Sequence, residues 1–262
     1  MSTADDNTTS QISKEISKSI EAGHTISINK DGIAYSHCHN KKVCNNELGQ
    51  LGRAGDVYKS LPIKLQESIS VAHVYTGGFA SSGHSALLDL KGNLWLSGCD
   101  RWQQLGLGSS NSGSSGYTWK GGKLWQDEFQ KCEHVINLLQ SLDPSLSKEP
   151  TKDNARRWIR DVSLGGDHTV ILSANKRDVI TFGKGGEGQL GLTSKPWVSS
   201  PSKSKQLSSS KSDISAVCAF KNCSMTLNDK GEVMKKAGKC SLELKGMKRA
   251  LEACRKRAQD TR

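Results

Sequence analysis

Three short stretches alternate apolar and polar positions as a half-buried strand does: IAYS at 33–36, LWLS at 94–97 and VITF at 179–182. Each closes a longer segment that opens with a histidine, a hydroxyl residue and an apolar run. These segments are AGHTISINKDGIAYS from Ala22, SGHSALLDLKGNLWLSG from Ser82 and GDHTVILSANKRDVITFG from Gly166. Asp31-Gly32 and Lys91-Gly92 supply the positive-φ residue that a short hairpin needs. The pattern predicts strand, tight turn, strand. A fourth segment, FKNCSMTLNDKGEVMKKAG from Phe220, turns at Lys230-Gly231 and carries Cys223 in place of the histidine.

A glycine-rich loop follows each of the first three hairpins, and Gln-Leu-Gly recurs in it: NELGQLG at 46–52, RWQQLGLG at 101–108 and GEGQLGL at 186–192. In the last loop Gly183, Gly185 and Gly188 match the dinucleotide-binding spacing G-x-G-x-x-G. That fingerprint needs a helix to spring from the glycines. Here Gly191, Pro196 and Pro201 interrupt any helical turn, and Lys184 stands at the wrong end of the glycines for a phosphate loop of the Walker type. The glycines therefore read as punctuation in a repeat. Units of this length, each a small antiparallel sheet, predict an all-β propeller built of four-stranded blades.

Other segments break the repeat. SSNSGSSG at 109–116 is a flexible stretch inside an insertion at 109–158. Beyond it, helical spacing places Leu124, Trp125, Phe129, Val135, Ile136 and Leu139 on one side of an expected inserted helix. Residues 193–213 are rich in Ser and Lys and read as an exposed loop. Residues 241–262 read as a basic amphipathic helix with Leu244, Met247, Leu251 and Cys254 on one face. The polar segment 1–20 has no apolar stretch behind a basic start, and no transmembrane segment is expected.

Charge sharpens this division. The 262 residues carry a formal +11, and from Lys230 onward 11 Lys and Arg face 4 Asp and Glu. Such a tail draws phosphate backbones or anionic surfaces, or is simply a solvated helix face. It leaves open docking on the blades, contact with nucleic acid or a membrane, and return onto a partner. The eight cysteines form no C-x-x-C pair and are expected as reduced thiols in an intracellular compartment, cytoplasm or nucleus. His37, Cys38, His39 and Cys44 are the one candidate metal cluster, but consecutive positions point to opposite sides of an extended strand, and a loop with incidental ligands is the plainer reading. No cofactor is expected.

The pattern G-x-H-[ST]-x-x-L…G-x-[VL]-[YW]…G-Q-L-G resembles the regulator of chromosome condensation repeat, which builds seven-bladed propellers. The resemblance covers about 22–108 and 160–240. It implies that His24, His84 and His168, with Gly49, Gly52, Gly98, Gly106, Gly183, Gly188 and Gly191, shape the blades. Only about four units are present, so the ring is short, completed by a second copy as a homo-oligomer, or part of a longer protein. Unit one departs from the pattern at Tyr35-Ser36-His37-Cys38.

The family's best-known activity is nucleotide exchange on the small GTPase Ran, with an acidic residue before a repeat histidine implicated. Asp167 holds that position, where the other units have Gly23, Gly83 and Asn222. An Asp there also serves simply to bond its own turn. No hydrolase motif is present, and the Trp residues do not cluster before the histidines as a tryptophan photoreceptor needs. The expectation is a non-enzymatic module that binds another protein, with guanine nucleotide exchange as the alternative.

Overall fold

The computed structural model describes residues 13–19, 22–40, 42–44, 46–65, 69–108, 125–144, 158–193, 195–241 and 245–260. They form four antiparallel sheets, each a sequential meander. Blade 1 comprises β1 (Ser13–Ser19), β2 (His24–Asn29), β3 (Ala34–Cys38) and the short β4 (Leu61–Pro62). Blade 2 comprises β5 (Val71–Gly77), β6 (His84–Asp89), β7 (Leu94–Cys99) and β8 (Trp125–Lys131). A helix, α1 (Glu133–Leu142), leads on to blade 3, with β9 (Ile159–Leu164), β10 (His168–Ser173), β11 (Val179–Lys184) and β12 (Trp197–Lys203). Blade 4 has three strands, β13 (Ala216–Phe220), β14 (Cys223–Leu227) and β15 (Val233–Gly238), followed by helix α2 (Lys245–Asp260).

The first strands of successive blades lie side by side, β1 by β5, β5 by β9 and β9 by β13, so the sheets stack as the blades of a propeller arc. Period-two alternation then gives every central strand two different neighbours. In β6, Leu87 faces blade 1 with Ile26, Ile28 and Trp95, whereas Ala86 and Leu88 face blade 3 with Ile171 and Ile180. In β10, Val170 and Leu172 turn instead to Val217, Ala219 and Ala237 of blade 4. The interior strands are therefore buried on both faces, which is why HSALLD and HTVILS carry long apolar runs.

Two expectations about elements are corrected here. Trp125–Lys131 is the outer strand of blade 2, and the helix begins only at Glu133. Phe129 is buried because this edge strand turns it toward blade 1, where it packs with Ile26 and Ile28. Val135, Ile136 and Leu139 do share the buried face of α1. Leu124 and residues 109–116 lie outside the described residues, as does Leu244. The Ser- and Lys-rich stretch 193–213 contains β12, an edge strand that buries Val198 and exposes Ser and Lys on its open side. Leu207 beyond it is fully buried between blades 3 and 4.

The cysteines also depart from expectation. Cys38–Cys44 and Cys223–Cys240 are disulfide-bonded, and Cys99, Cys132, Cys218 and Cys254 remain as buried thiols. Burial pushes Cys99 up to about 11 and Cys132 to about 12, which leaves both as inert thiols.

A candidate interaction site on the loop face

The repeat histidines sit at matching register positions. His24 pairs with Cys38, His84 with Gly98, His168 with Gly183, and in blade 4 Cys223 pairs with Gly238. A glycine is required opposite the interior histidines. At Gly183, with φ +100, an added Cβ would stand 2.6 Å from the Asp167 carbonyl oxygen and 2.8 Å from the His168 Cα. One residue on, a backbone N–H closes each hairpin end onto the residue before the histidine: His39 to Gly23, Cys99 to Gly83, Lys184 to Asp167 and Lys239 to Asn222.

From this position each imidazole crosses to the next blade. His24 Nε2 lies 2.8 Å from Ser85 Oγ, His84 Nε2 3.5 Å from Thr169 Oγ1 and His168 Nε2 2.8 Å from Ser224 Oγ. Ser85 and Thr169 already donate to the carbonyls of Gln50 and Gln104, each at 2.7 Å, so the imidazole is the donor to their oxygens. All three rings are fully buried. Burial pushes His24 and His168 down to about 3 and His84 to about 4, so they are neutral at physiological pH. These are fixed spacers between blades, with no access to a reacting proton.

The Gln-Leu-Gly loops complete the same seam. Gln104 and Gln189 curl back to accept the N–H of Trp102 and Glu187. Gly52, at φ +62, lies against the Phe129 ring of blade 2 so closely that a Cβ would come within 2.2 Å, and Gly106 meets Phe182 of blade 3 in the same way at 2.8 Å. Gly49, Gly188 and Gly191 likewise hold positive φ. No helix springs from Gly188, and the chain runs on through turns to β12. The glycine-rich loop is thus a clasp between blades, not a phosphate cradle.

Asp167 stands at the outer rim of this seam. Its carboxylate is 10% exposed and lies 3.7 Å from Lys184 Nζ, which in turn sits 5.0 Å from the centre of the Trp102 ring of blade 2. Glu187, on the next turn, is bonded to Lys239 of blade 4 at 2.6 Å, and that cation holds its carboxyl below the usual range. Trp102, Asp167, Lys184, Glu187 and Lys239 therefore make a run of aromatic and alternating charges across three blades. Of these, sequence reasoning singled out only Asp167. Trp102 and Lys184 flank the repeat glycines, and only the stacking of blades brings them together.

The suspected metal ligands are not assembled. Cys38 and Cys44 are joined to each other, His39 Nδ1 lies 2.9 Å from Thr25 Oγ1, and His37 projects from the opposite face of β3 to Cys38. Among the described residues no group of three His, Cys, Asp or Glu side chains is placed to hold a metal. Nor is any described helix long and apolar enough to cross a membrane.

No protein-family model matches the chain. Protein RCC2 homolog of Danio rerio is 30% identical over 175 residues, covering 64% of this chain and 30% of the relative. Protein RCC2 of Homo sapiens is 28% identical over 187 residues, covering 69% and 32%. The chain thus spans about a third of the length of these curated relatives. Among solved structures, Prp20p from Saccharomyces cerevisiae superposes with a TM-score of 0.57 at 18% identity, over 92% of this chain and 47% of that one. Human WBSCR16 does so with a TM-score of 0.57 at 18% identity, over 83% and 46%. The blades, their histidine seams and these likenesses agree in supporting assignment to the regulator of chromosome condensation repeat family, whose propeller fold the four described blades share.

Proposed function

We propose that the chain is a non-enzymatic module that binds another protein through the loop face around Trp102, Asp167 and Lys184. One observation carries this reading. The only acidic residue placed before a repeat histidine, Asp167, is held by Lys184 and nearly covered, so the face offers an aromatic and paired charges for contact while its carboxylate is already engaged. In the exchange reading the Asp167 carboxylate has to reach the Mg²⁺ and phosphate contacts that hold the nucleotide on the GTPase. Here Lys184 has to swing away first. Prp20p was described with binding properties toward Gsp1p and histones, which makes a Ran-like GTPase the partner to test first. Release of labelled GDP from such a GTPase is expected to be the same with wild type, Asp167→Ala and no added protein. Acceleration by wild type that Asp167→Ala abolishes would establish exchange instead.

A second reading rests on α2. Its apolar stripe, Met247, Leu251 and Cys254, is buried against blade 4, while Lys245, Lys248, Arg249 and Lys256 are exposed on the other side. A helix whose apolar face is already covered has none left to insert into a bilayer. The outward cations suit the phosphate backbone of a nucleic acid.

A further inference from the structure

The two ends of the arc are finished differently from its interior seams. In blades 2 and 3 the face turned to the following blade is apolar and meets that blade. In blade 4 the same face carries Ala216, Cys218, Met225 and Leu227, and α2 lies along it instead, with Met247 2%, Leu251 7% and Cys254 3% exposed. Cys223 stands where a histidine would reach across to the next hydroxyl, and it is bonded to Cys240 within its own blade. Phe220 of β13 lies against Gly246, where a Cβ would come within 2.4 Å of its ring, and Arg255 Nε donates to the Gly231 carbonyl at 3.0 Å. The helix is therefore anchored near both ends, not merely resting on the sheet.

At the opposite end, the two central strands of blade 1 replace two of the apolar positions that meet a preceding blade, while Ile16 of β1 pairs with Ser27 on the same face. Leu87 and Trp95 of blade 2, and Ile171 and Ile180 of blade 3, correspond by register to Ser27 and Tyr35. Thr25 holds the place of Ser85, Thr169 and Ser224, the hydroxyls that receive a histidine from the blade before. It is met by His39 of its own blade at 2.9 Å.

From the blade 4 end we infer that α2 is an intramolecular stand-in for the next blade, and that it keeps a second copy of this chain off the blade 4 face. The occupant of the blade 4 face is residues 245–260 of this chain, which cover the apolar positions that a second copy would otherwise meet.

Light scattering on the full chain is expected to give the monomer mass. A chain truncated after Ser241 is expected to self-associate, and a synthetic peptide of residues 242–262 to bind it saturably and return it to monomer. The same peptide carrying Leu251→Asp is expected to do neither. In the full chain, Leu251→Asp is expected to speed amide exchange in β13 and β14 at least tenfold while sparing β6 and β7, a readout available even if the truncated chain does not fold. A dimeric full chain, a folded truncated chain that stays monomeric, a peptide that fails to bind it, or unchanged exchange in β13 and β14 would each overturn the inference.

Discussion

His24 of the first blade and Ser85 of the second meet at 2.8 Å across a fully buried seam, and Ser85 donates its own hydroxyl hydrogen to the Gln50 carbonyl. Ser85→Ala leaves both the imidazole N–H and the carbonyl without this partner in a buried place. Each such loss costs about 1 to 3 kcal/mol, so the variant is expected to lose at least about 2 kcal/mol. The urea midpoint at pH 7.5, with an unchanged slope, measures it.

Acid weakens the same seams. An imidazole in the unfolded chain titrates near 6.5, whereas the folded rings hold out until about 3 to 4. Between these limits the unfolded chain binds three more protons, so stability is fully present above about pH 6.5 and falls as pH falls. Asp100 works in the opposite sense, since burial pushes it up to about 7 and the folded chain takes its proton first. Three protons less one leaves two, a slope of about 2.7 kcal/mol per pH unit between roughly pH 6 and 4. Urea unfolding at half-unit steps is expected to show it, and His168→Phe to reduce it by about one proton.

Much of the blade pattern was legible from side chains alone, because a strand buried on two faces and a glycine forced by a hairpin leave marks within a dozen residues. HSALLD, HTVILS and the Gln-Leu-Gly loops are of that kind. The inner strands β5 and β9 precede their histidines and carry no such mark. The outer strands β8 and β12 sit at sheet edges, where one exposed side dilutes the alternation with Gln, Ser and Lys. In β8 the spacing of Trp125 and Phe129 also suits a helix, and only pairing with β7 decides the matter. The Trp102–Lys184 contact is more remote still, since it exists only once two blades have stacked.

Two glycines separate the cost of strain from the cost of a clash. Gly52→Ala places a Cβ 2.2 Å from the Phe129 ring at a positive φ, whereas at Gly188 the φ is +80 but the nearest atom is 3.8 Å away. Gly188→Ala is expected to cost about 1 kcal/mol, the left-handed penalty alone. Gly52→Ala adds overpacking and is expected to cost about 2 to 4 kcal/mol, as read from thermal melts of the two variants side by side.

The disulfides close chain segments of different length, with 6 residues of separation for Cys38–Cys44 and 17 for Cys223–Cys240. Loop-entropy arithmetic assigns them about 2 and about 3 kcal/mol. Cys240→Ser is therefore expected to lower the unfolding free energy more than Cys44→Ser under non-reducing conditions. Alkylation in denaturant, followed by mass spectrometry, is expected to label four of the eight cysteines.

Binding of a 30-base-pair duplex tests the outward side of α2. Replacing Lys245, Arg249 and Lys256 with Ala is expected to flatten the dependence of log affinity on log salt by up to about 2.7, from about 0.9 per phosphate contact. Fluorescence anisotropy at four salt concentrations reads the slope. Vesicles of anionic lipid serve as the comparison, and preferential binding to them would favour a membrane.

The bridge from imidazole to hydroxyl always runs the same way, with the ring given by the earlier unit and the oxygen by the later one. The series consequently has a polarity, like a row of hooks and eyes. A duplicated copy of unit two or three would find both a hook and an eye waiting wherever it was inserted between them. A copy of unit four, whose Cys223 has replaced the hook, would leave the eye of any unit placed after it unfilled.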